Sequence, residues 1–129
     1  MATSTPGGGG QTNLGVAPNV AGLLCYVPCC VGLVFAIVAA IVEKQSRFVR
    51  FHAFQSLLLH GAEIVFLVGL GVAGTVLSAV SGFMGLILFP LQLLVLVVLV
   101  GLAILLMIKA NSGEEYELPV IGKMARQWV

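Results

Sequence analysis

The chain is 129 residues long, 60% hydrophobic and only 9% charged, with a formal net charge of +1 and a mean hydropathy of +1.14. Soluble domains carry about 45–50% apolar and about 25% charged residues, and a fold this small leaves much of its surface exposed. The composition therefore excludes a soluble globular domain, and the near-zero charge excludes a nucleic-acid interface. What remains is a single all-α integral membrane domain whose first partner is the lipid bilayer.

Residues 1–19 form a glycine-rich head with no charged side chain and no periodicity, expected to be flexible. Its Gly run is not a phosphate loop, because no Lys-Ser/Thr follows it and no strand precedes it. Residues 20–42 are the first predicted transmembrane span, long enough for a hydrocarbon core of about 30 Å, with a kink expected at Pro28. No basic segment precedes this run, and it exceeds a signal-peptide core, so it is read as a retained span. Cys25, Cys29, Gly32, Ala36 and Ala40 recur three or four residues apart, a ridge of small residues suited to helix packing. An odd count of three cysteines inside one apolar run is no disulfide framework.

A polar connection carries Lys44, Arg47 and Arg50. A short interfacial segment is expected before the second span, with Phe48, Phe51 and Phe54 immersed and the arginines reaching the headgroups. The second span covers residues 52–80, and Gly71, Gly74, Ser78 and Gly82 form a second small-residue ridge. Ser81 and Gly82 turn the chain into a third span, residues 83–108, with a kink expected at Pro90. These three spans make residues 20–109 the transmembrane domain. Residues 110–129 form a tail: Asn111 and Gly113 can cap the third helix, and Leu118–Trp128 reads as an interfacial segment anchored by Trp128. Glu114, Glu115 and Glu117 are expected to dock this tail on Lys44, Arg47 and Arg50. With three spans all six basic residues share one side, which places the amino terminus outside and the tail in the cytoplasm of a cell's inner or plasma membrane.

Three blocks carry a likeness: Asn19-Val20-Ala21-Gly22-Leu23-Leu24-Cys25-Tyr26, Arg50-Phe51-His52-Ala53-Phe54-Gln55-Ser56 and Leu118-Pro119-Val120-Ile121-Gly122. On these, the chain resembles the small prokaryotic membrane proteins related to the Tic-twenty component of the chloroplast inner-envelope import apparatus. The likeness covers roughly residues 19–126 and implies a helical membrane domain in protein translocation or assembly. The chain differs in having three predicted spans where the plastid protein has four.

On a wheel of about 100° per residue, His52, Gln55, Ser56, His60 and Glu63 gather within roughly 140°. This polar stripe enters the second span, where an ionisable residue costs about 2.5 kcal/mol or more. It has three readings: a structural or interfacial role, a hydrated groove, or a metal site using His60 and Glu63. A metal is disfavoured because bundle sites draw carboxylates from several helices, and Cys25 and Cys29 are expected toward the opposite membrane face. No nucleophile–base–acid set is visible, so no catalytic residue and no cofactor are expected. A Tyr26–Gln92 hydrogen bond between spans is expected instead. The leading functional reading is a non-enzymatic structural, assembly or translocation component, as a homo-oligomer or with other membrane proteins. The alternative is a small-solute, proton or ion pathway lined by the stripe.

Overall fold

The computed structural model describes residues 12–129, in five helices: α1 (Pro18–Leu24), α2 (Cys30–Val42), α3 (Arg47–Val80), α4 (Gly82–Asn111) and α5 (Ile121–Arg126). Most of the expected flexible head, residues 1–19, lies outside the described residues. Its last part is folded, with a turn closed by Gly15 N–H onto Thr12 O at 3.3 Å. Among the described residues two helices are long and apolar enough to cross a bilayer, α3 with 34 residues and α4 with 30.

The expected continuous span over residues 20–42 does not form. Tyr26 and Val27 N–H groups close α1 onto Leu23 and Leu24 carbonyls at 3.0 and 3.4 Å. Val27 precedes a proline and Pro28 has no N–H, so the helix stops rather than kinks. Cys29 then takes a φ of 70°, and a side chain at Gly32 would meet the Val27 backbone. The chain reverses, and α1 and α2 become two arms of a hairpin. At 13 residues, α2 is about 20 Å long, short of the core thickness.

The ends of the two arms prove the reversal. Asn19 Nδ2 donates to Asn111 O at 3.2 Å, so α1 starts beside the end of α4. Asn13 N–H donates to Glu43 Oε2 at 2.9 Å and Asn13 Oδ1 accepts from Lys44 N–H at 2.8 Å, so the same strand of chain meets the end of α2. Arg50 Nη2 donates to Trp128 O at 3.2 Å. Thr12 and Val129 thus lie at one end of the bundle.

Ser46 caps α3, its hydroxyl accepting from Val49 N–H at 3.3 Å. Fully buried Glu43 supports this start, its Oε1 accepting from Gln45 and Ser46 N–H at 2.8 and 2.9 Å. The buried residues of α3 all fall between Phe48 and Leu59, where the other four helices surround it. One cluster joins Ala21, Cys25, Ala36, Ala39, Phe48, Val49 and Ala53; the second joins Tyr26, Leu59, Leu106, Ala110 and Leu118. Small side chains here let backbones approach, which is how helices associate where lipid is as apolar as leucine. Gly22 illustrates the limit, since an added Cβ would sit 3.0 Å from Phe48 and 3.2 Å from His52.

Beyond this crowded end, α3 and α4 continue as a two-helix hairpin with Val65, Val80, Leu86 and Val97 exposed. α4 runs unbroken through exposed Pro90. The ridge at Gly71, Gly74 and Ser78 lines a groove with Gly85 and Gln92. Gln92 therefore lies beside Gly71, far from Tyr26, and the expected Tyr26–Gln92 bond is absent. At its other end α4 closes as the sequence predicts: Gly113, at φ 79°, donates to Ala110 O and Glu114 donates to Lys109 O, both at 3.0 Å. That left-handed glycine sends residues 114–120 back across α3.

Candidate functional site

The polar stripe of α3 divides in two. Its first part, His52, Gln55 and Ser56, is fully buried and ties three chain segments together. Gln55 Nε2 donates to Tyr26 Oη and Tyr116 O, both at 2.9 Å, while Gln55 Oε1 accepts from Leu118 N–H at 3.0 Å. His52 Nε2 lies 3.1 Å from Glu114 O, and His52 Nδ1 lies 3.0 Å from Tyr26 Oη. A carbonyl only accepts, so Nε2 carries the proton and Nδ1 accepts from the tyrosine hydroxyl. Every donor and acceptor then has one consistent direction. Ser56 Oγ donates to Cys25 O, the carbonyl freed where α1 ends. Phe48 and Phe51 meet the His52 ring edge-on, with centroids 4.5 and 5.2 Å away.

The block from Leu118 to Gly122 is shaped to reach Gln55. Ile121 N–H donates to Pro119 O at 2.7 Å across Val120, which has φ 65° and ψ −60°. Such a γ-turn at a β-branched residue costs on the order of 1–3 kcal/mol. It is tolerated because it seats Gly122, where a Cβ would stand 2.6 Å from Gln55 Oε1. The tail docks as expected, through different groups. Glu115 and Glu117 pair with Arg126 at 2.8 and 2.7 Å, and Glu114 pairs with Lys109 at 2.9 Å. Among the described residues none pairs with Lys44, Arg47 or Arg50, though Glu115 shares a small pocket with Arg47. The hydrogen bonds that Arg126 donates, first to Glu115 and then to Glu117, hold its guanidinium above its ordinary pKa. Arg47 faces a small pocket with Phe51, Arg126 and Val129, and Arg50 stacks near Phe54 at 5.8 Å. Trp128 packs edge-on against Phe54 at 5.8 Å while half exposed, as an interfacial anchor would.

The second part of the stripe, His60 and Glu63, lines a cavity of about 330 Å³ between the hairpin tip, α3 and α4. Pro28, Cys29 and Cys30 form its rim, with Leu33, Leu67, Leu96 and Leu99 in its walls. The expectation that Cys29 lies toward the opposite membrane face from His60 is corrected, because the reversal at Pro28 brings the two to the lining of one cavity. No group of three metal-ligating side chains forms among the described residues. Sequence reasoning missed two residues, Tyr26 as the hub of the polar core and Glu43 as the cap beneath it. Tyr26 closes the first block of the likeness, the one available signal; Glu43 reads from sequence only as a loop carboxylate.

A family model described as the magnetosome magnetite crystal formation protein family matches residues 11–125. A UPF0132 membrane protein of Methanocaldococcus jannaschii is 39% identical over 125 residues, covering 92% of this chain and 94% of its own length. A second from the same organism is 34% identical, covering 89% of this chain and 72% of its own. One from Archaeoglobus fulgidus is 34% identical, covering 86% and 94%. No solved structure matches significantly. With an all-helical fold, two helices of membrane-crossing length and a family match over nearly all its residues, the chain is a membrane protein of the magnetosome magnetite crystal formation protein family, akin to the archaeal UPF0132 membrane proteins.

Proposed function

We propose that this protein is a non-enzymatic membrane component of an assembly or translocation apparatus, the role implied by its likeness to the Tic-twenty-related proteins. One observation carries this reading: the buried polar side chains of α3 are spent on joining α1, α3 and the tail. His52, Gln55 and Ser56 each end on a backbone carbonyl or amide, so they position structure rather than wait for a substrate. The result is a rigid platform with wide apolar faces, including Val34, Ile37 and Ile41 of α2. The matched family's description, magnetite crystal formation in magnetosomes, fits a membrane component that organises a process.

In this reading α3 and α4 are the two full spans, and α1–α2 is a re-entrant hairpin in the cytoplasmic half of the plasma membrane. Two spans, like the three inferred from sequence, keep Lys44, Arg47, Arg50, Lys109, Lys123 and Arg126 together, as the positive-inside rule asks. They differ in bringing the amino-terminal segment to the cytoplasm as well. Single cysteines at Leu14 and Val129, in a cysteine-free background, should react with an impermeant thiol reagent only from the cytoplasmic side. Labelling from opposite sides would refute this topology.

The assembly role is tested with a photo-crosslinker at Val34 or Ile41. It should give a discrete adduct with a second copy or one membrane partner, undiminished by Glu63→Gln. The pathway reading gains support from His60 and Glu63 facing a cavity. It predicts solute or proton flux in reconstituted vesicles that Glu63→Gln abolishes. Flux without any adduct would overturn the assembly reading.

A further inference from the structure

The cavity at the hairpin tip has features that the scaffold does not use. His60 Nδ1 lies 2.8 Å from the backbone carbonyl of Ser56. A carbonyl only accepts, so Nδ1 carries a proton; the tautomer this contact selects is the one that keeps a lone pair on Nε2. That contact also fixes the ring, as backbone contacts fix histidines that bind ligands. Glu63 follows three residues later on the same helical face. Its carboxyl joins no ion pair among the described residues. Two acceptors thus stand at one wall of a cleft whose remaining lining is mostly aliphatic, with Tyr26 and the Pro28–Cys30 rim beside it.

The cleft's volume of about 330 Å³ falls within the usual range for small-molecule pockets, about 300–1,000 Å³. Its rim is open, since Cys29 and Cys30 are exposed there. A bilayer acyl chain could fill the apolar part but would leave both acceptors without a donor, deep in a medium that offers none.

We propose that this cleft binds an elongated apolar molecule ending in a hydrogen-bond donor, a hydroxyl or an ammonium group. The donor is shared between His60 Nε2 and Glu63, and the apolar body lies along Leu67, Leu96 and Leu99. A chain ending in a carboxylate fits less well, because it brings no donor of its own to the two acceptors. The site is independent of the assembly role, so either can fail without the other.

The test uses the full chain in detergent micelles, with bound molecules counted by native mass spectrometry. Three probes share one tail: dodecylamine, 1-dodecanol and dodecanoate. One molecule of the amine, the alcohol or both should bind per chain, at least tenfold more tightly than dodecanoate. Binding of the amine alone assigns an ammonium ligand; binding of the alcohol, a hydroxyl ligand. The double change His60→Phe with Glu63→Leu should remove the preference. Leu99→Phe, which narrows the cleft and leaves both acceptors in place, should weaken binding of the preferred probe, and Trp128 fluorescence reports whether each variant keeps its docked tail. Equal binding of all three probes, no binding of either donor-ended probe, or a preference that survives the double change would each overturn the proposal.

Discussion

Replacing Gln55 with leucine keeps the side chain's approximate size and helix propensity while removing its amide. In the folded protein that amide donates to Tyr26 Oη and Tyr116 O and accepts from buried Leu118 N–H. An orphaned buried donor costs about 1–3 kcal/mol, and each lost neutral bond about 0.5–1.5 kcal/mol. Tyr116 is exposed and its carbonyl can turn to water, and Tyr26 retains His52, so both losses sit at the low end. The sum is about 3 kcal/mol, roughly a hundredfold in the constant for tail opening. Hydrogen exchange of the reconstituted protein reads this directly. Amides of residues 114–122 should exchange about a hundredfold faster in Gln55→Leu, while those of α4 beyond Leu106 stay unchanged. Unaltered exchange in residues 114–122 would show that the tail is held elsewhere and refute the role given to Gln55.

Gly122→Ala should act on the same latch from the other side. Its Cβ would crowd Gln55 Oε1 at 2.6 Å, an overpacking cost of about 1–3 kcal/mol, seen as a red shift of Trp128 fluorescence as it leaves Phe54. Gly32→Ala should disrupt the hairpin, because the new methyl meets the Val27 backbone. A lowered thermal midpoint, with Cys25 becoming reactive to thiol reagents, is the expected result. Glu115→Gln with Glu117→Gln should barely matter. Both carboxylates and Arg126 are partly exposed, such pairs are worth about 0–1 kcal/mol, and exchange in residues 114–118 should change less than fivefold.

Much of the architecture was legible in the residues. The apolar runs of α3 and α4, the uncharged turn at Ser81, and the glycine closing α4 follow from length, hydropathy and cap chemistry. So does the gathering of basic residues at one end, since a tight turn between two spans returns the chain to the side it left. The stripe from His52 to Glu63 was also visible, because helical periodicity alone puts those residues on one face. That the tail docks was predicted, but by the wrong force. Exposed glutamates found nearer partners in Lys109 and Arg126, and a buried amide made the attachment instead.

The first apolar run marks the boundary between the two kinds of information. Residues 20–42 have the length and hydropathy of a span, and a membrane helix can carry a proline as a kink or break at it. Local sequence does not choose. The choice is made by contacts from distant parts of the chain: Ala110 and Leu106 against α1, Ser56 on the carbonyl freed at Cys25, and Asn13 on Glu43. The stripe's division has the same cause. Whether His52 and Gln55 are structural depends on carbonyls some sixty residues away, and whether His60 and Glu63 face a cavity depends on where Pro28 turns the chain. Composition and periodicity determined that this protein lives in a membrane and which helix carries its polar groups. Only the tertiary structure decided what those groups meet, because each partner is supplied by a segment that hydropathy cannot place.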